Sequence, residues 1–283
     1  MKIGLVLSGG MAKGAYQIGA LKAINNFIPT KDIQYISCSS VGVLNGYAYA
    51  TDNLKHAENL WRKVCNADTR FFVNQLLKSS LLQQCIESLF DEDKPLNYDF
   101  FCSLLDLNAK KLVYKNLYNV SSEKIPIYLK ASVAMPLYNK AVSIDGTTYF
   151  DGAMIDNIPI FPLLKYELDY ILCVYFDDIS YEFESPAVNN KVIRITFPSG
   201  SRLRQSVLFE SNEIQEMIKN GYDATMHILK SVFYKGYDSI DYIYDSIGYI
   251  NRSSANTKSR ITGDILVANL NKVMQKLTKR EVL

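Results

Sequence analysis

The chain has 283 residues, with 31 Lys and Arg against 29 Asp and Glu and a formal net charge of +2. With 48% hydrophobic and 12% aromatic residues it has a folded, globular composition, long enough for one large domain or two small ones and unlike a disordered segment. A charge this near balance excludes the basic surface that non-specific nucleic-acid binding needs, and two histidines, His56 and His227, give a zinc site or a His-based relay little to draw on.

In chain order, Ile3–Leu7 is a short apolar run closed by Ser8-Gly9-Gly10, strand-like and too short for a signal-peptide core. Ala15, Ile18, Leu21, Ile24 and Phe27 then repeat with helical period up to Pro29. Ile33–Ser37 reads as a second strand, Val41–Ala50 as a small-residue helix, and Leu54, Ala57, Leu60, Trp61 and Val64 as the stripe of a third helix. Residues 66–98 read as a helical excursion ending near Pro95. Strands are expected at Phe100–Leu105, Lys111–Tyr114, Thr148–Phe150, Tyr170–Phe176 and Val192–Ile195, with a helix from Glu123 to Ala134. Beyond Arg204 the pattern turns helical, with Ile214, Met217, Ile218, Thr225 and Ile228 on one face, and Asp264–Leu283 is expected as an amphipathic tail helix.

Strands alternating with helices predict an α/β fold, three-layer α/β/α with a mainly parallel central sheet. Residues 1–204 form its body, and 205–283 are a helical C-terminal extension packed on the same domain. The cysteines Cys38, Cys65, Cys85, Cys102 and Cys173 are odd in number and lack a C-x-x-C pair, so they read as reduced, buried residues of a cytoplasmic chain. No apolar stretch is long enough to span a bilayer, which leaves surface contact as the expected mode of membrane association.

Three segments carry chemistry. Ser8-Gly9-Gly10-Met11-Ala12-Lys13-Gly14 follows the first strand and opens a helix, where backbone N–H groups face a negative charge. One use of such a loop is a phosphate cradle, another an oxyanion hole. It is not a P-loop, since Ala15 follows Gly14 where Lys-Ser/Thr is needed, and strand two ends in serines rather than the acid a dinucleotide site wants. A nucleotide-binding reading therefore rests on the glycines alone.

The second segment is Ile36-Ser37-Cys38-Ser39-Ser40-Val41-Gly42, a strand, a sharp bend and a small-residue helix, which is the geometry of a nucleophile elbow centred on Ser40. The third is Phe150-Asp151-Gly152-Ala153, an acid just past a strand, at the sheet end where active sites of α/β folds gather; a plain Asp-Gly turn is the competing reading.

Taken together over residues 3–200, these segments resemble the patatin-like phospholipase family: a Gly-rich loop after strand one, a G-x-S-x-G elbow after strand two and a later D-G-A/G motif. Ala131-Ser132-Val133-Ala134-Met135-Pro136 also looks like the family's Ala-Ser-rich helix and proline upstream of the Asp. The resemblance implies a patatin-like fold and a serine acyl-ester hydrolase of the phospholipase A or lysophospholipase type. It assigns Ser40 as nucleophile, Asp151 as base, and the amides around Gly9, Gly10 and Met11 as the oxyanion hole, with Gly14, Gly42 and Gly152 as motif support. It implies phospholipid or lysophospholipid as substrate, and neither metal nor cofactor.

Two departures stand out. Met11 occupies the place of a third glycine, and Cys38 that of the elbow's first. At a left-handed backbone either side chain costs about 1 kcal/mol or more. They motivate a second reading, a lipid-binding or regulatory protein on the same fold with weak or lost turnover. A dyad needs no histidine, and both sit by spacing on the polar sides of their helices. Asp106, Asp145 and Asp156 read as turn or cap residues. The tail presents Leu266, Leu270, Val273, Met274 and Leu277 opposite Lys272, Lys276, Lys279 and Arg280. Such a helix packs on the main domain with a solvated basic face or docks on anionic membrane.

Overall fold

The computed structural model describes residues 1–66, 71–72, 80–136, 138–176, 183, 185–197, 208–209, 211–254 and 273–283. Strand β1 (Ile3–Leu7) is buried along its whole length, as an apolar run between two parallel neighbours must be. Its side chains alternate: Ile3, Leu5 and Leu7 enter one core and Val6 the other. After a 3-10 turn at Met11–Lys13, α1 (Gly14–Ile24) returns the chain to β2 (Ile33–Cys38), which bends at Ser40 into α2 (Val41–Ala50). Helix α3 (Leu54–Asn66), the two-residue β3 (Phe71–Phe72) and α4 (Ser80–Leu89) lead to β4 (Asp99–Asp106) and β5 (Lys111–Asn116). Then come α5 (Ile125–Ser132), β6 (Val142–Ile144), β7 (Thr147–Asp151), β8 (Tyr170–Tyr175), α6 (Pro186–Asn189), β9 (Val192–Thr196) and β10 (Leu208–Phe209). Finally α7 (Ser211–Val232), α8 (Ile240–Ser254) and β11 (Arg280–Val282) complete the described elements.

The central sheet orders as β11-β5-β4-β2-β1-β8-β9, with β7 against β4 and β6 against β7. The run β4-β2-β1-β8-β9 and the pair β11-β5 are parallel, while β4-β5, β4-β7 and β6-β7 are antiparallel. From β1 the chain moves to β2 and β4 on one side and later to β8 on the other, so the loop after β1 lies where the order reverses. Sites in open α/β sheets form outside the carboxyl ends of strands at such a point. One face is covered by α1, α2, α5 and α7, and the other by the segment 155–168, with Met274 and Val282 of the C-terminal segment packed against it. The three-layer α/β fold expected from the alternation is the one observed.

Helix α7 buries Ile214, Met217, Ile218 and Thr225, the expected stripe. The expected helix to Leu283 is corrected. Residues 255–272 lie outside the described residues, 273–277 are helical, and Arg280–Val282 is a strand parallel to β5. The outer edge of β5 offers unpaired backbone groups, and satisfying them outweighs the weak local preference for helix. Val282 packs into the second core, Glu281 pairs with Lys111, and Leu277 is exposed. The C-terminal extension is thus not wholly helical. Of the helical excursion expected over 66–98, residues 67–70 and 73–79 lie outside the described residues; Ser80–Leu89 is helical as expected, whereas Phe71–Phe72 is a strand that pairs antiparallel with Leu208–Phe209. Cys38, Cys85, Cys102 and Cys173 are buried free thiols.

Candidate active site

The bend after β2 holds Ser40 at φ 53°, ψ −132°, a left-handed backbone, at the N-cap of α2. A non-glycine residue there stores strain on the order of 1–3 kcal/mol. The turn persists because both sides are fixed. Ser39 N–H donates to the Leu7 carbonyl at 3.0 Å, and the Gly42 and Val43 amides donate to Ser39 O and Ser40 O at 2.9 and 2.8 Å. Gly42 is required by approach: a Cβ there would stand 2.7 Å from the carbonyl oxygens of Leu7 and Ser8. Those are backbone atoms with no room to give. Gly42→Ala is therefore expected to destabilise by about 1–3 kcal/mol, despite the gain of roughly 1 kcal/mol that Ala brings to a helix interior; urea denaturation checks it.

Cys38 sits in regular strand beside Cys102 of β4, outside the positive-φ residues. Its sulfur occupies the space that the absent side chain of Gly46 leaves, 2.6 Å from where a Cβ would be. Of the two departures from the family's glycines, only Met11, at φ 50°, has a left-handed backbone.

Asp151 ends β7 and is 1% exposed; Ser40 is 8% exposed. The Ser40 hydroxyl lies against the Asp151 carboxyl and favours its charged form, and Asp151 Oδ1 accepts the Ala153 N–H at 2.8 Å. Burial pushes the Asp151 carboxyl up to about 7, against the pull of those two donors. The Asp151 N–H donates to the Ala134 carbonyl at 2.8 Å, which is what the Ala131–Pro136 motif contributes to the site. Gly152 lets this turn close on β4, since a Cβ would meet the Ser103 carbonyl carbon at 2.6 Å.

The glycine loop reaches the same place. A Cβ on Gly9 would lie 2.9 Å from Ser40 Cβ, and one on Gly10 2.3 Å from the Phe176 ring. Gly9 N–H, however, donates to the Asn157 carbonyl at 3.2 Å. Gly10 and Met11 N–H have no partner among the described residues. Gly14 gives α1 room against Val41 and Trp61.

Three polar residues not anticipated from the sequence hold the loop to the elbow helix. Gln17 Nε2 donates to Ser8 O at 2.7 Å, Asn45 Nδ2 donates to Gly14 O and to Gln17 Oε1, both at 2.9 Å, and Trp61 Nε1 donates to Asn45 Oδ1 at 2.9 Å. Their signal was present in the sequence: Gln17 and Asn45 are polar residues within otherwise apolar small-residue helices, and both are buried.

Beside Ser40 opens an apolar cavity of about 100 Å³, with Met11, Leu44, Leu60, Trp61, Ile86 and Met135 among its lining. Neither histidine lines it. His56 contacts Ser88 Oγ at 3.3 Å, and His227 lies on the exposed side of α7. As expected, Asp106 caps a turn through Ala109 N–H and Asp145 lies in the turn between β6 and β7, where it also pairs with Lys124. Asp156 differs, being 2% exposed and hydrogen-bonded across the molecule. Among the described residues no cluster of His, Cys, Asp or Glu could hold a metal ion, and no helix is long and apolar enough to cross a membrane.

The chain is similar to Lysophospholipase NTE1 of Scheffersomyces stipitis, 25% identical over 190 residues, covering 61% of this chain and 11% of that protein. It is also similar to the patatin-like phospholipase domain-containing protein ZK370.4 of Caenorhabditis elegans, 27% identical over 173 residues, covering 56% of this chain and 12% of that protein. The chain thus spans about a tenth of the length of these relatives. Among solved structures, VipD from Legionella pneumophila aligns over 81% of this chain and 66% of its own, at 14% identity and a TM-score of 0.49. The family model described as patatin-like phospholipase matches residues 5–164, more than half of the sequence and all three motifs. The chain belongs to the patatin-like phospholipase family.

Proposed function

We propose that this chain is a serine acyl-ester hydrolase acting on phospholipid or lysophospholipid esters through a Ser40–Asp151 dyad. The observation that carries the reading is the placement of Ser40, on a strained elbow at the mouth of an apolar cavity, against the buried Asp151 carboxyl. The cavity has the chemistry of an acyl-chain site: its lining is almost wholly hydrocarbon, with Ser40 part of it.

Ser40 Oγ attacks the ester carbonyl as its proton passes to the Asp151 carboxylate. The tetrahedral oxyanion is held by the Gly10 and Met11 amides at the positive end of a helix, the Gly9 amide being engaged by Asn157. Gly9 serves by closeness rather than by donation. Collapse breaks the ester C–O bond, Asp151 returns the proton to the departing alcohol, and the acyl group stays on Ser40. Water then attacks the acyl carbonyl, giving its proton to Asp151; the acyl C–Oγ bond breaks as Asp151 passes that proton to Ser40 Oγ, and the fatty acid leaves. A carboxylate held near 7 is a better base at neutral pH than an ordinary Asp, which suits a dyad lacking His.

The second reading, a lipid-binding protein with weak or lost turnover, is favoured by the strain at Met11 alone. Hydrolysis of phospholipid vesicles and p-nitrophenyl esters by wild type, Ser40→Ala and Asp151→Asn separates the two. The hydrolase reading expects turnover by wild type only, and equal rates in all three refute it. Replacing both His56 and His227 by Gln is expected to leave turnover within roughly twofold, as neither meets the geometric demands of a triad; a collapse of kcat in that double variant contradicts the dyad.

A further inference from the structure

We propose that the C-terminal segment 273–283 is a latch that positions the Asp151 carboxylate, with Asp156 as the positioning residue through which it acts; this rests on the dyad reading above. Asp156 lies one turn beyond the proposed base. The Ile155 and Asp156 amides both donate to the Gly152 carbonyl, at 2.9 and 3.0 Å, so Gly152–Asp156 moves as a unit and passes a displacement of Asp156 back to Asp151. The backbone carbonyl of Asp156 accepts the Ser39 hydroxyl at 3.1 Å, which ties the same turn to the neighbour of the nucleophile.

The Asp156 side chain joins its own turn to β5 and to the C-terminal segment. Its Oδ2 accepts the Tyr114 hydroxyl at 2.5 Å, and its Oδ1 accepts Gln275 Nε2 at 2.9 Å and the Ile158 N–H at 3.2 Å. Both side-chain donors depend on the C-terminal segment. Gln275 belongs to it. Tyr114 is on β5, whose outer edge is paired by β11 in the register Arg280–Leu112, Glu281–Val113 and Val282–Tyr114. The Leu283 N–H donates to Tyr114 O at 2.9 Å, and Arg280 hydrogen-bonds the Tyr114 hydroxyl while its guanidinium stands 4.1 Å from the Phe161 ring centre.

A buried carboxylate is costly to keep for packing alone, because an apolar residue fills the same space without desolvation. This one sits on the turn that carries the base and faces the last segment of the chain, which is the arrangement of a device that sets a position. Small displacements matter there, since a misplacement of about 1 Å costs up to about 100-fold in rate.

The test uses the full chain. Gln275→Glu replaces the N–H donor by an acceptor that repels Asp156 while keeping the shape, Tyr114→Phe removes the second donor, and Gln275→Arg keeps N–H donors at the position. For p-nitrophenyl butyrate, Gln275→Glu and Tyr114→Phe are expected to lower kcat about 10-fold, with KM little changed and the midpoint of the pH–rate profile displaced. Gln275→Arg is expected to keep most of the wild-type rate. Hydrogen exchange of the peptide spanning 151–159 reads the latch without catalysis and is expected to quicken in Gln275→Glu while 41–50 stays protected. A wild type that fails to hydrolyse the ester defeats the dyad reading and leaves the exchange arm to judge the latch. Wild-type kcat, pH midpoint and exchange in Gln275→Glu overturn the latch, as does an equal loss of kcat in Gln275→Arg.

Discussion

Ser40→Ala is expected to lower kcat/KM for an activated ester by about 10⁴-fold or more, and Asp151→Asn by about 10³–10⁴-fold. The effects are unequal because the two residues do different work. Removing Ser40 leaves no covalent route, so what survives is the oxyanion donors acting on adventitious water. Removing the carboxylate leaves the hydroxyl in place but takes away the proton acceptor, and no histidine is within reach to replace it. His56 is tied to Ser88, and His227 faces outward from α7. The double variant should be no worse than Ser40→Ala alone, since groups that act as one unit do not lose activity additively. Stopped assays with purified variants check this, and a double variant falling far below Ser40→Ala shows that Asp151 serves some other route.

The second large effect has the opposite sign for stability. The Asp151 carboxyl is raised from the ordinary 3.8 to about 7 by burial. Between about pH 4 and 7 the unfolded chain has this group ionised while the folded chain still holds the proton, so the folded state binds more protons there. Stability contributed by this group is therefore full below pH 4, falls as pH rises toward 7, and is flat beyond. The shift of about three units corresponds to roughly 4 kcal/mol against the folded state at pH 8.

Asn carries no such charge. It gives up one or both favourable contacts of the carboxyl, with Ser40 and Ala153, at about 1 kcal/mol each. Asp151→Asn is thus expected to be more stable than wild type by about 2–3 kcal/mol at pH 8, a rise in Tm of roughly 5 °C or more, and no more stable at pH 4. Calorimetry at the two pH values checks it; a variant less stable than wild type at pH 8 shows that the carboxylate is held by its donors rather than strained by burial. The same titration predicts that kcat/KM rises through an apparent pKa near 7 and then stays level. A gain in stability on losing function is the mark of a site kept at a cost to the fold.

Much of this site was legible before any coordinates. The glycine loop, the serine bend and the Asp-Gly turn are local signals, written in residues whose backbone needs are strict, and they fall at the ends of strands that read plainly as apolar runs. What tertiary pairing decides was not legible. Val142–Ile144 is three residues long, too short for any period, and exists as strand because β7 pairs with it. Arg280–Val282 follows a helical stretch and becomes strand only because the edge of β5 is open. Asp156 looked like a turn residue because its partners, Tyr114 and Gln275, are 42 and 119 positions away. Likewise nothing local distinguishes the Gly9 amide from those of Gly10 and Met11; the Asn157 carbonyl makes the difference. The opposite lesson comes from Cys38, whose departure from glycine looked costly and is accommodated by Gly46 one turn into the next helix.

The most direct measurement is the mass of the intact chain after treatment with a fluorophosphonate, followed by mapping of the modified peptide. One adduct on Ser40 is expected in wild type, none in Ser40→Ala, and a much slower one in Asp151→Asn. An adduct on another residue, or ester hydrolysis by a folded chain that takes up no label at Ser40, contradicts Ser40 as the nucleophile.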